Sequence, residues 1–273
     1  MEASWKLGTF RGIPVGLHWS MALVFGLLTI SLATSFFPMT HEDLPDAAYW
    51  IMAVISAVLF FTSILLHELG HSIVAIRHGI PVNGITLFIF GGVAQIGGRP
   101  KSATVELKIA AAGPVVSFVL GGLFLLIGWA TGGVAWISAP ATWLGTLNLT
   151  LAVFNLLPGF PLDGGRILRA LVWKFTGSED RAAQVALVSG QLLAFGMMGV
   201  GAYLAFTGNF GNGLWLVFLG WFLQNAATSE AQGSRVEIAL RGVTVQQAMG
   251  PRETFIPSWM KLSQLVEDYV LSR

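Results

Sequence analysis

A chain built around repeated apolar runs of about 20 residues has one solvent that suits it, the hydrocarbon core of a bilayer. Six such runs occur here, at roughly 16–37, 47–76, 103–130, 139–158, 181–206 and 212–229. Turn signals separate them: Pro38 to Pro45, Thr131-Gly132-Gly133, and Thr207-Gly208-Asn209 to Asn212. Ser178 before Glu179-Asp180 reads as an N-cap with an acidic first turn ahead of the fifth run. Only 11% of the 273 residues are charged and 54% are hydrophobic, whereas a soluble domain carries about 25% charged residues. Hydrocarbon offers no partner to a backbone N–H or C=O, so each run is expected as a helix. The expected fold is an all-α polytopic membrane protein of about six transmembrane helices. The first run follows Lys6 and Arg11 but shows no small-residue cleavage site, so it reads as a retained helix.

Charge placement orients the chain. With residues 1–15, 77–102, 159–180 and 230–273 on one side, that side and its adjoining helix ends carry all fifteen Lys and Arg. The opposite loops carry none, and one of them holds Glu42, Asp43 and Asp46. The positive-inside rule makes the Lys/Arg side cytoplasmic, and six spans put both termini there. A net charge of +1 creates no global field for nucleic acid, so no direct nucleic-acid partner is expected. The absence of cysteine excludes disulfides, thiolate metal sites and a cysteine nucleophile, which leaves His and carboxylates as the strong metal ligands.

Two segments do not fit spanning helices. Ile85-Thr86-Leu87-Phe88-Ile89-Phe90 is β-rich, too short to span, and followed by Gly91-Gly92 and Val93 to Ile96. It reads as a small strand or hairpin at the cytoplasmic face. Gly165 to Phe175 interleaves Arg166, Arg169 and Lys174 with Ile167, Leu168, Leu171, Val172 and Trp173, which suits a short amphipathic helix at the interface.

The chemistry centres on His67-Glu68-Leu69-Gly70-His71. Positions i and i+4 of a helix share a face, so both imidazoles can meet one metal ion. Zinc lowers the pKa of a bound water towards about 7, and Glu68 is placed to accept its proton and return it to a leaving amine. The motif follows Phe60 to Leu66 inside an apolar run, where a charged residue costs roughly 2.5–3.5 kcal/mol on insertion scales. That leaves two readings, a metal site or a buried polar cluster that joins helices. With Arg77 at the interface and about 1.5 Å of rise per residue, His71 lies roughly 9 Å and His67 roughly 15 Å further in.

Two histidines under-coordinate zinc, whose catalytic sites usually have three protein ligands. The best third candidate is Asp163, in Asn155-Leu156-Leu157-Pro158-Gly159-Phe160-Pro161-Leu162-Asp163-Gly164-Gly165-Arg166. Runs two and four leave the membrane on the same side, so the two motifs can meet. The prolines and glycines break the helix and let Asp163 turn inward. The alternative for Asp163 is a helix cap.

His67-Glu68-xx-His71 together with Asn155-xx-Pro158-xx-Pro161-Leu162-Asp163-Gly164 resembles the site-2 protease family of intramembrane zinc metalloproteases, most strongly over about 60–175. Gly91-Gly92, Ala112-Gly113-Pro114 and Gly12-Ile13-Pro14 to His18-Trp19 match family-like patterns. The resemblance implies one zinc ion held by His67, His71 and Asp163, with Glu68 catalytic. It implies a membrane-anchored protein as substrate, of the anti-sigma-factor or membrane-bound transcription-factor kind, in regulated intramembrane proteolysis. Val243 to Met249, Pro257, and Leu262 to Tyr269 are similar to the start of a CBS domain, a module that often binds adenine nucleotides. The expected division is a transmembrane metalloprotease domain over 1–232 and a cytoplasmic linker with a truncated CBS start over 233–273.

Weaker candidates complete the reading. Asn155 is a candidate oxyanion stabiliser or, equally, an interhelical hydrogen bond; Asn148 reads as the latter. His18 lines a water path or is a satisfied interfacial residue, and Glu106 and Lys108 read as interfacial charges. The strand carrying Ile85, Leu87 and Ile89 is a candidate substrate-binding strand, since a helical substrate must unwind before attack and an exposed edge can hold it extended. The rival function is a non-catalytic zinc-containing membrane transporter or receptor. In that reading Glu68 has no role.

Overall fold

The computed structural model describes residues 4–89 and 91–239, together with 261 and 264. The chain divides into two units, Met1–Ala231 and Gln232–Arg273, and every described strand and helix lies in the first except the end of the last helix. The segment similar to a CBS domain, from 243 onward, lies outside the described residues but for isolated positions.

The chain opens with strands β1 (Trp5–Phe10) and β2 (Ile13–Leu17). A helical run then covers Ser20–Thr40, as α1 (Ser20–Ser31), a π-helical turn (Leu32–Phe36) and α2 (Phe37–Thr40). Pro38 has no N–H to give the preceding turn, and the widened turn sits just before it. Helix α3 (Asp46–Arg77) carries the HExxH motif, with Asp46 in its first turn and Arg77 in its last, each charge complementing the helix dipole. Strands β3 (Val82–Phe88) and β4 (Gly91–Ile96) follow. The remaining helices are α4 (Ala103–Ala130), α5 (Ala135–Asn155), α6 (Asp163–Thr176), α7 (Glu179–Phe206) and α8 (Phe210–Ala239). Ser102 caps α4 by accepting from the Val105 N–H, and Ser178 caps α7 by accepting from the Arg181 N–H. The short helix α6 stops at Gly177, whose φ of 68° suits a residue without a Cβ.

Helix α4 packs on α3, α5 and α6. Its closest approach to α5 uses small residues: a Cβ on Gly121 would lie 2.7 Å from Leu149 Cδ2, and one on Gly145 would lie 2.7 Å from Leu125 Cγ. In lipid, helices associate through such close van der Waals contact, because burying apolar surface gains nothing. Outward-facing Leu23, Leu27, Val119, Leu126, Leu192 and Phe195 are exposed, as a lipid-facing surface requires.

The four strands form one sheet in the order β1-β2-β3-β4. β1 and β2 are antiparallel, β2 and β3 parallel, and β3 and β4 antiparallel. The expected hairpin is present, but the N-terminal strands that extend it were not read from the sequence. Ile13, Met21, Ile85 and Leu87 pack with Leu69 of α3, so the sheet is seated on the motif helix.

Three expectations need correction. About six spans are expected, whereas five helices among the described residues are long and apolar enough to cross a membrane. Helix α8 falls short because its apolar stretch, Leu214 to Leu223, is only about half the length a span needs and is bracketed by Asn212 and Gln224-Asn225. Second, Ile85 and Leu87 cannot offer a free strand edge. β3 is an inner strand paired on both sides, with Ile85 opposite Val15 and Ala94, and Leu87 opposite Leu17 and Gly92. Ile89 lies beyond the strand, and its N–H donates to Ser20 Oγ at 3.1 Å. Third, Glu106 is not an interfacial charge. It is fully buried against Arg169, while Lys108 is exposed.

Candidate metal centre

Helical spacing puts His67 and His71 one turn apart on the buried face of α3, each 4% exposed. Helix α4 crosses that face. His67 Nδ1 is hydrogen-bonded with Ser117 Oγ at 2.9 Å, and the His71 Nδ1–H donates to the Ile109 carbonyl at 2.7 Å. With each Nδ1 engaged by a partner on α4, Nε2 is the ring nitrogen left for a further ligand. Gly113 lies between the two partners. A Cβ there would collide with both imidazoles, so the close approach of α4 depends on its absence.

Asp163 arrives from a different part of the chain. Helix α5 ends at Asn155, and the segment through Pro158 and Pro161 turns back to begin α6 at Asp163. The turn is pinned to α7: the Phe160 N–H donates to the Ala186 carbonyl at 3.2 Å, and the Ser189 hydroxyl donates to the Pro158 carbonyl. It is also tightly folded on itself, for a Cβ on Gly165 would strike the backbone of Gly159 and Phe160.

The three side chains converge. Asp163 Oδ2 lies 3.2 Å from His67 Nε2 and 3.2 Å from His71 Nε2, and the two Nε2 atoms are 3.2 Å apart. A tetrahedral ion with ligand bonds of about 2.0 Å separates its ligand atoms by about 3.3 Å. The donor set of two neutral imidazoles and a carboxylate therefore fits zinc in both chemistry and spacing. These are the described residues' one group of three or more metal-ligating side chains.

Glu68 is half-buried beside this cluster. Its side chain lies against Gly92 at the start of β4, where any Cβ would collide with it. Among the described residues β4 is an edge strand, with Val93 and Gln95 exposed. Asn155, half-buried at the last position of α5, is not joined to the cluster by a hydrogen bond. Asn148 forms the expected interhelical bond, its Nδ2 donating to Ser63 Oγ at 3.3 Å. His18 is satisfied locally by Ser20 Oγ at 2.8 Å. The supporting partners Ser117 and the Ile109 carbonyl were missed from the sequence. A small hydroxyl residue four positions after Gly113 was the one signal for the former, and nothing in the side chain of an isoleucine announces the latter.

Comparison with known proteins agrees with this geometry. The model of Peptidase family M50 matches residues 55–141 and 132–197. The protein Rip3 of Mycobacterium tuberculosis is 38% identical over 99% of this chain and 70% of its own length. Zinc metalloprotease MJ0392 of Methanocaldococcus jannaschii is 32% identical over 98% of this chain and 72% of its own. A solved site-2 protease from Methanocaldococcus jannaschii superposes with a TM-score of 0.53 at 30% identity, covering 92% of this chain and 99% of that one. The chain is an integral, multi-pass membrane protein that belongs to peptidase family M50, the site-2 protease family of intramembrane zinc metalloproteases.

Proposed function

We propose that His67, His71 and Asp163 hold a single zinc ion and that Glu68 is the general base for hydrolysis of peptide bonds in membrane-anchored proteins. The observation that carries this reading is the triangle of donor atoms, 3.2 Å on each side, with Glu68 next to it. Zinc, when bound, supplies a Lewis acid and a water acidified to a pKa of about 7. Glu68 takes the proton of the attacking water and delivers it to the leaving amide nitrogen, so one carboxylate serves as base and then acid. Ser117 and the Ile109 carbonyl keep the imidazoles in the tautomer that leaves Nε2 free. Asn155, near the end of the helix that leads to Asp163, is the candidate donor to the oxyanion.

The edge for an unwound substrate is β4. No described strand pairs with its outer side, and Gly92 brings it against Glu68. An extended segment added there gains backbone hydrogen bonds that a helical one cannot offer. The chain has no cysteine, so Val93→Cys gives a single thiol on that edge. Disulfide capture of a substrate scanned with cysteine should peak at every second position; uniform capture argues against strand addition.

The Lys/Arg distribution supports an N-terminus on the cytoplasmic side, with the site opening there; a C-terminus on that side requires α8 to cross as a sixth span despite its shorter apolar stretch. The family resemblance supports membrane-anchored regulators, anti-sigma factors or transcription factors, as the substrate class, and an adenine nucleotide as ligand of the CBS-like tail. The deciding experiment measures zinc content and cleavage of a single-span substrate. Glu68→Gln should keep zinc and lose cleavage by about 10²–10⁴-fold; Asp163→Ala should lose cleavage and bind zinc much more weakly. Full cleavage by Glu68→Gln removes the mechanism.

A further inference from the structure

A second polar cluster lies apart from the metal centre. Glu106 of α4 is 0% exposed and Arg169 of α6 is 7% exposed. Both Nε and Nη2 of the guanidinium donate to Glu106 Oε1. Arg169 also stands 5.6 Å from the centroid of the Phe160 ring, and Phe160 belongs to the turn that delivers Asp163. One side chain therefore touches α4, α6 and the segment between α5 and α6.

Stability alone does not account for this arrangement. A buried ion pair often returns less than its desolvation costs, and a well-packed apolar pair of similar volume serves as well or better. Glu106 Oε2 has no hydrogen-bond partner among the described residues, so the pair is not even a fully satisfied one. Its position is more informative. Glu106 is three residues before Ile109 and seven before Gly113, and Arg169 is six residues after Asp163. At about 1.5 Å of rise per residue, that is roughly 10 Å from the metal donors along either helix. Helix α4 grips both imidazoles, through Ile109 and Ser117. Helix α6 begins with the carboxylate. A guanidinium held by two N–H bonds sets both the axial position and the rotation of α6 against α4, which a greasy contact would leave free to slide.

We propose that the Glu106–Arg169 pair positions Asp163 for zinc binding, holding the third ligand at the right depth against a frame that already fixes the other two. This rests on the reading that Asp163 is a zinc ligand. Glu106 and Arg169 touch neither zinc nor substrate; they act through the carboxylate.

The test is a double-mutant cycle on zinc affinity, measured by competition with a chelator in the full chain in detergent. The four proteins are wild type, Glu106→Gln, Asp163→Ala and the double variant. With Asp163 present, Glu106→Gln should weaken zinc by about tenfold or more, the usual range for outer partners of metal ligands. In the Asp163→Ala background the same change should matter by less than about twofold, since the residue it works through is gone. An equal loss in both backgrounds, or no loss in either, overturns the proposal. If Asp163→Ala alone leaves zinc affinity unchanged, the ligand assignment itself fails, and this inference with it. Should Glu106→Gln not fold, Glu106→Leu/Arg169→Leu leaves no unpaired charge and enters the same cycle. Wild-type zinc affinity in that apolar pair overturns the proposal.

Discussion

Two buried polar clusters lie between α4 and its neighbours, separated by roughly 10 Å of helical rise, and they differ in kind. His67, His71 and Asp163 turn three lone-pair atoms towards one point. Glu106 and Arg169 face each other as a balanced pair of opposite charges. The first cluster contains more acceptors than donors and is complete only around a cation. The second is balanced in charge without a ligand, although Glu106 Oε2 has no hydrogen-bond partner among the described residues. The membrane interior therefore distinguishes a site from a strut by charge balance: charges that neutralise one another join helices, and a donor set that lacks its cation is kept for a ligand.

Four substitutions press on that distinction, beginning with the largest effect. Arg169→Ala leaves Glu106 buried and alone, and should lower unfolding stability by about 3–5 kcal/mol. Thermal unfolding in detergent reads this directly, and an unchanged midpoint would mean that Glu106 finds another partner. Gly113→Ala acts on the other cluster. Its methyl would collide with both imidazoles, and overpacking of this kind costs about 1–3 kcal/mol. Zinc affinity should fall by about 10–100-fold while the helices stay assembled; normal zinc content would show that α4 can retreat. Ser117→Ala removes the hydrogen-bond partner of His67 Nδ1 and should weaken zinc by about tenfold with little change in stability. Asn148→Leu deletes a bond to Ser63 that belongs to neither cluster. Its expected cost is about 0.6 kcal/mol, the average for such bonds between membrane helices.

The metal site was unusually legible because its signals are local. An i, i+4 pair needs only helical geometry to share a face, and the Leu162-Asp163-Gly164 turn carries its own proline and glycine punctuation. The Glu106–Arg169 pair was not legible. Near the end of an apolar run, Glu106 looks like any interfacial acid, and nothing local says that an arginine 63 residues later will cover it. The strand edge failed for the same reason. Ile85 to Ile89 read as an exposed edge, but edge or centre is a property of the sheet. β2, formed from the unremarkable stretch Ile13–Leu17, pairs with β3 and moves the free edge to β4.

Sequence alone determined that this chain lives in a bilayer, that its polar groups there must be functional or paired, and which four side chains could form a hydrolytic metal site. Those conclusions follow from solvation cost and from the fixed 3.6-residue period, both of which act on neighbours in the chain. Only the tertiary structure decided that α4 grips both imidazoles, that β4 is the open edge beside Glu68, and that a buried ion pair ties the third ligand's helix in place. Those are contacts between residues far apart in sequence, made when helices close to within a glycine's width, and no local pattern encodes which far residue arrives.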